Sequence, residues 1–150
     1  MLTTVTFSDY AFNIRQENGR KEVLDPIRKK WVLITPEEWV RQHILQYLLN
    51  DKKYPRSLIA VERGIELNGL KKRFDVVVFD RAGNPFLLIE CKAPEEPLNE
   101  KVLQQSLRYN MQLNAAYLWM SNGAQNFCYA LKTNEGLLST IPDFPASRSV

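Results

Sequence analysis

Two short apolar runs, FDVVVF (74–79) and FLLIEC (86–91), stand on either side of the loop Asp80-Arg81-Ala82-Gly83-Asn84-Pro85. Runs of this length joined by a short Gly-containing loop predict a β-hairpin of core strands. The same runs carry charge: Asp75 in the first, Glu90 in the second and Lys92 just beyond it. Charged side chains are rarely buried without a partner or a metal. The stretch from Phe74 to Lys92 therefore constrains both the fold and what the fold is for.

The elements around the hairpin follow from local pattern. Thr35-Pro36-Glu37-Glu38 predicts a helix start, with Thr35 as N-cap, Pro36 in the first helical position and Glu38 completing a capping box. Trp39, Val40, Ile44, Leu45, Leu48 and Leu49 recur at helical spacing as far as Asn50, giving one apolar face. SLIAVERGIEL (57–67) reads as a strand, and Asn68-Gly69 as the turn that returns it through LKKRFDVVVFD. A second helix is expected from Asn99 or Glu100 to about Asn114, with Val102, Leu103, Leu107, Met111 and Leu113 as its apolar positions. AYLWM and NFCYALK supply two further strands. The order is α-β-β-β-α-β-β: an antiparallel meander, then a helical crossover that returns AYLWM parallel to PFLLIE. The fold class expected is α/β, with a mixed central sheet.

At 150 residues with 45% apolar content the chain fits a single domain. Residues 1–24 read as an N-terminal arm packing on a core of 25–131, and 132–150 as a loosely docked tail. In the basic cluster Arg28-Lys29-Lys30, a solvated face and a phosphate contact both remain open. Cys91 and Cys128 are too few for a disulfide framework, no signal peptide is evident, and no apolar run spans a membrane. A cytoplasmic protein is expected. The net charge of +3 permits a nucleic-acid partner without requiring one.

Residues two apart on a strand share a face, so Glu90 and Lys92 point the same way. Counting outwards from the Ala82-Gly83 turn brings Asp75 approximately opposite Glu90. Two carboxylates that close repel unless a cation lies between them, and oxygen donors with waters suit Mg²⁺, with Mn²⁺ as a substitute. Lys92 would orient or deprotonate a water, or stabilise charge on a phosphate. Cys91 should turn its thiol into the core and offer its carbonyl to the metal. The alternative is an ordinary ion pair at a strand end, with Asp75 joined to Lys71 or Arg73. His43 lies on a helix with no partner motif and reads as a boundary residue, while Trp31, Trp39, Tyr117 and Trp119 read as core aromatics.

Asp75, fourteen intervening residues and Glu90-Cys91-Lys92 resemble the PD-(D/E)xK nuclease pattern, and the αβββαβ order resembles that family's restriction-endonuclease-like core. More narrowly, TPEEWVRQ, RFDVVVFD, LLIECKAP, QSLRYN and MSNG resemble the N-terminal nuclease domain of type I restriction enzyme R subunits, over residues 25–131. Phe74 stands where the family's name has Pro. The resemblance implies a metal-dependent DNA endonuclease, and the lack of an evident DNA-reading module implies low intrinsic sequence specificity. Asp75, Glu90, Cys91 and Glu38 would be its metal ligands, and Asp75, Glu90, Lys92, Gln105 and Tyr109 its catalytic set. Gln105 and Tyr109 match a QxxxY element and share a helix face at i, i+4; their other reading is an amide and a phenol at a helix–sheet boundary. Glu38 is equally a capping residue, and Arg41 and Gln42 resemble the pattern more weakly. The sequence has no P-loop and no DNA-reading module, which leaves open a stand-alone protein, a truncated one, or a component acting with a separate motor or specificity subunit. A nucleic-acid-binding or assembly module that keeps the fold without cutting is the rival reading, and a plain salt-bridge network is a third.

Overall fold

The computed structural model describes residues 2–67, 69–133 and 135–146. The expected turn residue Asn68 and the terminal SRSV lie outside them. Six strands form one sheet in the order of the chain: β4 (Ile59–Leu67), β5 (Leu70–Phe79), β6 (Pro85–Cys91), β7 (Tyr117–Ser121), β8 (Asn126–Ala130) and β9 (Gly136–Leu138). Every pairing is antiparallel except β6 with β7, which helix α2 (Glu100–Asn110) connects. The helical crossover and the parallel return of AYLWM are as the sequence implies.

The faces of the sheet follow from strand alternation. Val76, Val78, Leu87 and Ile89 pack with Val40, Ile44, Leu45 and Leu48 of helix α1 (Pro36–Gln46) and the π-helical turn that extends it over Tyr47–Asp51. Val77, Leu88, Leu118 and Met120 pack on the other face with Leu103 of α2. β6 is buried at nearly every position because both faces are covered. Its edge-on neighbour Trp119 is fully buried, and the indole Nε1 donates to Asn126 Oδ1 at 3.0 Å.

Both helix starts are capped as their sequences predict. The Thr35 hydroxyl accepts from the Glu38 N–H at 3.0 Å, and the Asn99 side chain from the Val102 N–H at 2.9 Å. The capping box is not completed, however. The Thr35 N–H bonds to the Leu33 carbonyl, and the Glu38 side chain turns to two arginines instead. α2 ends at Asn110, short of the expected Asn114, and its C-cap Met111 is 64% exposed and does not join the apolar face.

The ends of the chain are more structured than expected. β1 (Ile14–Glu17), β2 (Arg20–Leu24) and β3 (Trp31–Leu33) form a separate three-stranded sheet that runs across the expected boundary at residue 24. Asn18 and Gly19 make its first turn with φ of 51° and 76°, the left-handed pair that a two-residue hairpin needs. At the other end, β9 pairs with the open edge of β8 and Ile141 is 2% exposed, so residues 136–141 are docked and not a loose tail. Thr3 fastens the two ends together. Its N–H donates to the Asn126 carbonyl and its hydroxyl to the Leu138 carbonyl, each at 2.8 Å, and the Thr4 N–H donates to the Ser139 carbonyl at 2.7 Å.

Candidate active site

Asp75 is released by the strands on both sides of it. The β4–β5 ladder steps from Val61↔Val76 to Arg63↔Phe74 and leaves Glu62 and Asp75 unpaired between them. Glu62 has φ of +54°, a left-handed backbone that is uncommon for a residue with a side chain and costs on the order of 1–3 kcal/mol. The β5–β6 ladder ends at Val76↔Ile89, so Asp75 and Glu90 come next in register, as counting from the turn implies. Instead of continuing that ladder, the Asp75 carboxylate accepts from the Cys91 N–H through Oδ2 at 2.7 Å. Its Oδ1 accepts from Arg41 Nη2 at 2.9 Å. Asp75 thus pairs with neither Lys71 nor Arg73; Arg73 lies 3.5 Å from Glu62.

Glu90 leaves the same strand end towards α2. Its Oε1 is 2.6 Å from Lys72 Nζ, and its Oε2 accepts from Ser106 Oγ at 3.3 Å. Lys92 extends the strand edge, its N–H donating to the Ser121 carbonyl at 2.8 Å. The side chains of Glu90 and Lys92 line one open cleft of about 330 Å³ together with Lys72, Gln105, Ser106 and Tyr109. The i, i+4 spacing of Gln105 and Tyr109 does place both on one helix face at this cleft, where Tyr109 is 41% exposed. Asp75 is not among the cleft's lining residues; it lies beside the cleft at the Cys91 amide. Asp75 and Lys92 are both felt by Glu37. Burial first and then the charge of Asp75 hold its carboxyl above the usual range, while Arg41 and Lys92 act the other way.

Of the other two expected ligands, Cys91 is oriented as expected and Glu38 is placed elsewhere. Cys91 sits in the core on the α1 side, where burial first and then Asp75 push its thiol well above the usual range. Glu38 is 6% exposed, and its carboxylate accepts from Arg28 Nη2 at 2.7 Å, Arg41 Nη1 at 2.9 Å and Gln42 Nε2 at 3.3 Å. It does not reach the cleft. Arg28 is likewise no phosphate contact: its guanidinium lies between Asp25 and Glu38, whereas Lys29 and Lys30 are exposed. Burial opposes the charges of Arg28 and Arg41, but hydrogen bonding to Glu38 in the first and the charge of Glu38 in the second raise both above the usual arginine range.

The bland residues are where their patterns put them, with three exceptions. His43 is a boundary residue, its Nδ1 2.8 Å from the Trp39 carbonyl and its ring among Phe7, Phe12 and Trp39. Trp31, Trp39 and Tyr117 are only half-buried, Trp31 beneath the Arg15 guanidinium at 4.5 Å. Lys72 and Ser106 were not singled out by sequence reasoning. Lys72 Nζ also lies 4.5 Å from the Tyr109 ring and 5.0 Å from the Phe74 ring, a setting that only the fold reveals.

The donors available for a divalent ion are oxygens. Asp75 on β5, Glu90 near the end of β6 and the adjacent Cys91 carbonyl are the kind of donors that suit Mg²⁺, which takes one or two carboxylates and completes its shell with water and phosphate. The carboxylate oxygens of Asp75 and Glu90 each accept one protein hydrogen bond or ion pair and retain lone pairs. Among the described residues no group of three or more His, Cys, Asp or Glu could hold a metal.

The sequence matches the family described as Type I restriction enzyme R protein N terminus (HSDR_N) over residues 36–145. The chain belongs to that family. The HSDR_N region takes in α1, the whole six-stranded sheet and α2, and it begins after the three-stranded sheet. Among solved structures, the chain is similar to a fragment assigned as an HsdR subunit of a type I restriction enzyme from Vibrio vulnificus YJ016, with a TM-score of 0.50 and 20% identity. That likeness covers 73% of this chain and 24% of the other, and it supports the restriction-endonuclease-like core. The chain thus spans about a quarter of that HsdR chain. No curated protein matches the sequence. Among the described residues no helix is long and apolar enough to cross a membrane.

Proposed function

We propose that this chain is a DNA endonuclease domain that hydrolyses phosphodiester bonds with Mg²⁺, or Mn²⁺ in its place, at the cleft beside Asp75. The observation that carries the reading is the strand end itself: Glu90 and Lys92 open into one cleft, next to an Asp75 that neither neighbouring strand pairs. Asp75, Glu90 and the Cys91 carbonyl would hold the ion. When bound, it would supply a water of lowered pKa and neutralise charge on the phosphate. Lys92 is the side chain suited to orient that water or take its proton, because Lys72 is already committed to Glu90. Gln105 and Tyr109 would bound the cleft on the α2 side and steady the DNA backbone. Duplex DNA, and a separate motor or specificity subunit of a restriction system, are the partners that family membership suggests.

The test is cleavage of plasmid DNA with Mg²⁺ or Mn²⁺ by the parent, Asp75→Asn and Lys92→Ala, alongside circular dichroism. The parent should nick or linearise the plasmid, and each variant should lose activity by about a hundred-fold or more while staying folded. Equal cutting by both variants would falsify the assignment. A non-catalytic assembly module is the second reading, supported by the existing partners of both carboxylates, Arg41 and Lys72. It predicts neither cleavage nor metal binding that depends on Asp75 and Glu90 in calorimetry.

A further inference from the structure

Arg41 is 4% exposed and reaches in two directions. One terminal nitrogen, Nη2, is 2.9 Å from Asp75 Oδ1 and 3.2 Å from Glu37 Oε1; the other, Nη1, is 2.9 Å from Glu38 Oε1. Behind Glu38 the chain of charges continues. Arg28 Nη2 lies 2.7 Å from Glu38 Oε1 and 2.9 Å from Asp25 Oδ2, and Gln42 Nε2 donates to Asp25 Oδ2 at 2.9 Å. Asp25 is fully buried just after β2, and its Oδ1 accepts from the N–H groups of Ile27 and Arg28 at 2.8 and 2.6 Å. An unbroken line of charge-assisted bonds therefore runs from the loop between β2 and β3 to the carboxylate of Asp75.

Such a line is a poor way to gain stability. Buried ion pairs seldom recover the cost of desolvating their charges. Here Arg41 Nε and Gln42 Oε1 are in addition buried without a protein partner. The line does supply what Asp75 otherwise lacks, since the ladders on both sides skip or stop at that residue. A planar fork can hold two carboxylates in fixed relation, which an ammonium cannot.

We infer that Arg41 is a positioning residue, which holds the Asp75 carboxylate against the Cys91 amide, and that the Asp25–Arg28–Glu38 line behind it makes the three-stranded sheet part of the framework of the site. The inference rests on the reading of Asp75 as a ligand for a divalent ion, and it assigns work to residues 14–33, which the family match does not include.

The experiment uses the full chain with Arg41→Gln, Arg41→Lys and Glu38→Gln. Two readouts are independent of cleavage: amide hydrogen exchange at Cys91 by NMR, and Mn²⁺ binding by calorimetry. Glu38→Gln leaves both partners of Asp75 in place, so an effect of that variant on Asp75 passes through Arg41. Arg41→Gln and Glu38→Gln should speed exchange at Cys91 more than at Leu88 or Ile89, and weaken Mn²⁺ binding by about ten-fold or more. Arg41→Lys should recover part of the exchange protection. A purely structural role predicts a lower melting temperature with Cys91 exchange changed no more than its strand neighbours, and that result overturns the inference. If Arg41→Gln does not fold, Arg41→Lys and Glu38→Gln decide by the same readouts. A parent that binds no Mn²⁺, with selective exchange at Cys91 in the variants, sinks the metal reading and leaves the positioning role standing.

Discussion

Lys72 serves two sets of neighbours. Its ammonium is 2.6 Å from Glu90 and sits above the rings of Phe74 and Tyr109, while Asn110 Oδ1 is 3.4 Å away. Both members of the pair are largely buried, with side-chain exposures of 21% and 16%. Removing the cation would strand the carboxylate in a half-desolvated place. Lys72→Met is expected to lower stability by about 1–3 kcal/mol, read as a lower denaturant midpoint with an unchanged slope. Lys72→Met combined with Glu90→Gln should recover most of that loss, because no charge is then left unpaired; a double variant as unstable as the sum of the singles would contradict this account. Neither this pairing nor that of Arg41 with Asp75 could be read from the sequence. The partners are 18 and 34 residues apart, and periodicity speaks only to neighbours on the same element. Asp75 and Glu90 could be brought into register by counting because one tight turn separates them. Glu38 was ambiguous for the converse reason: a residue suited to a local cap met a stronger, distant pair of guanidinium groups.

The first turn of α1 shows what that competition does to an element. Thr35 caps the helix alone, and the Thr35 N–H finds the Leu33 carbonyl in place of the Glu38 carboxylate. Thr35→Ala should therefore cost about 1 kcal/mol. The Thr35 and Glu38 side chains share no bond, so the losses of Thr35→Ala and Glu38→Gln should add in a double-mutant cycle by chemical denaturation. A coupling well above about 0.5 kcal/mol would show that the box closes after all. Elsewhere the elements declare themselves: the apolar runs of β5, β6 and β7 are local signals, and the structure uses each as written. The short strands at the ends were the hard ones. β1 is exposed throughout and β9 has three half-buried residues, so neither carries the alternation that identifies a strand; each exists because a neighbouring edge was open.

On the scale of the whole molecule, one sheet separates two apolar layers, and the two thiols lie within the layer on the α1 side. Burial pushes the Cys128 thiol from 9.0 up to about 12, and Cys91 moves in the same direction. In the unfolded chain these thiols ionise near their ordinary value. Above about pH 9 the unfolded state therefore loses protons that the folded state keeps. Stability present in full below pH 9 should fall as the pH rises towards 12. Denaturant midpoints measured from pH 8 to 11 should show that decline, and Cys128→Ala should flatten part of it. A midpoint that holds steady across the range would count against burial of the thiol.

The bonds of Thr3 and Thr4 to Asn126, Leu138 and Ser139 tie a segment that precedes every strand to the two strands that close the sheet. On a ribosome the hairpin of β5 and β6 can form early, but this clasp has no partner until roughly 120 residues have followed it. Closing so long a loop costs little more than closing one half as long, since the entropy grows only with the logarithm of length. Fastening is thus cheap but late, and the β8 edge stays bare until β9 emerges and Thr3 swings over the strand ends. For a chain with exposed backbone donors, that interval is when a second nascent copy could pair in place of β9. The clasp makes the emergence of β9, and not collapse of the core, the event that seals the sheet.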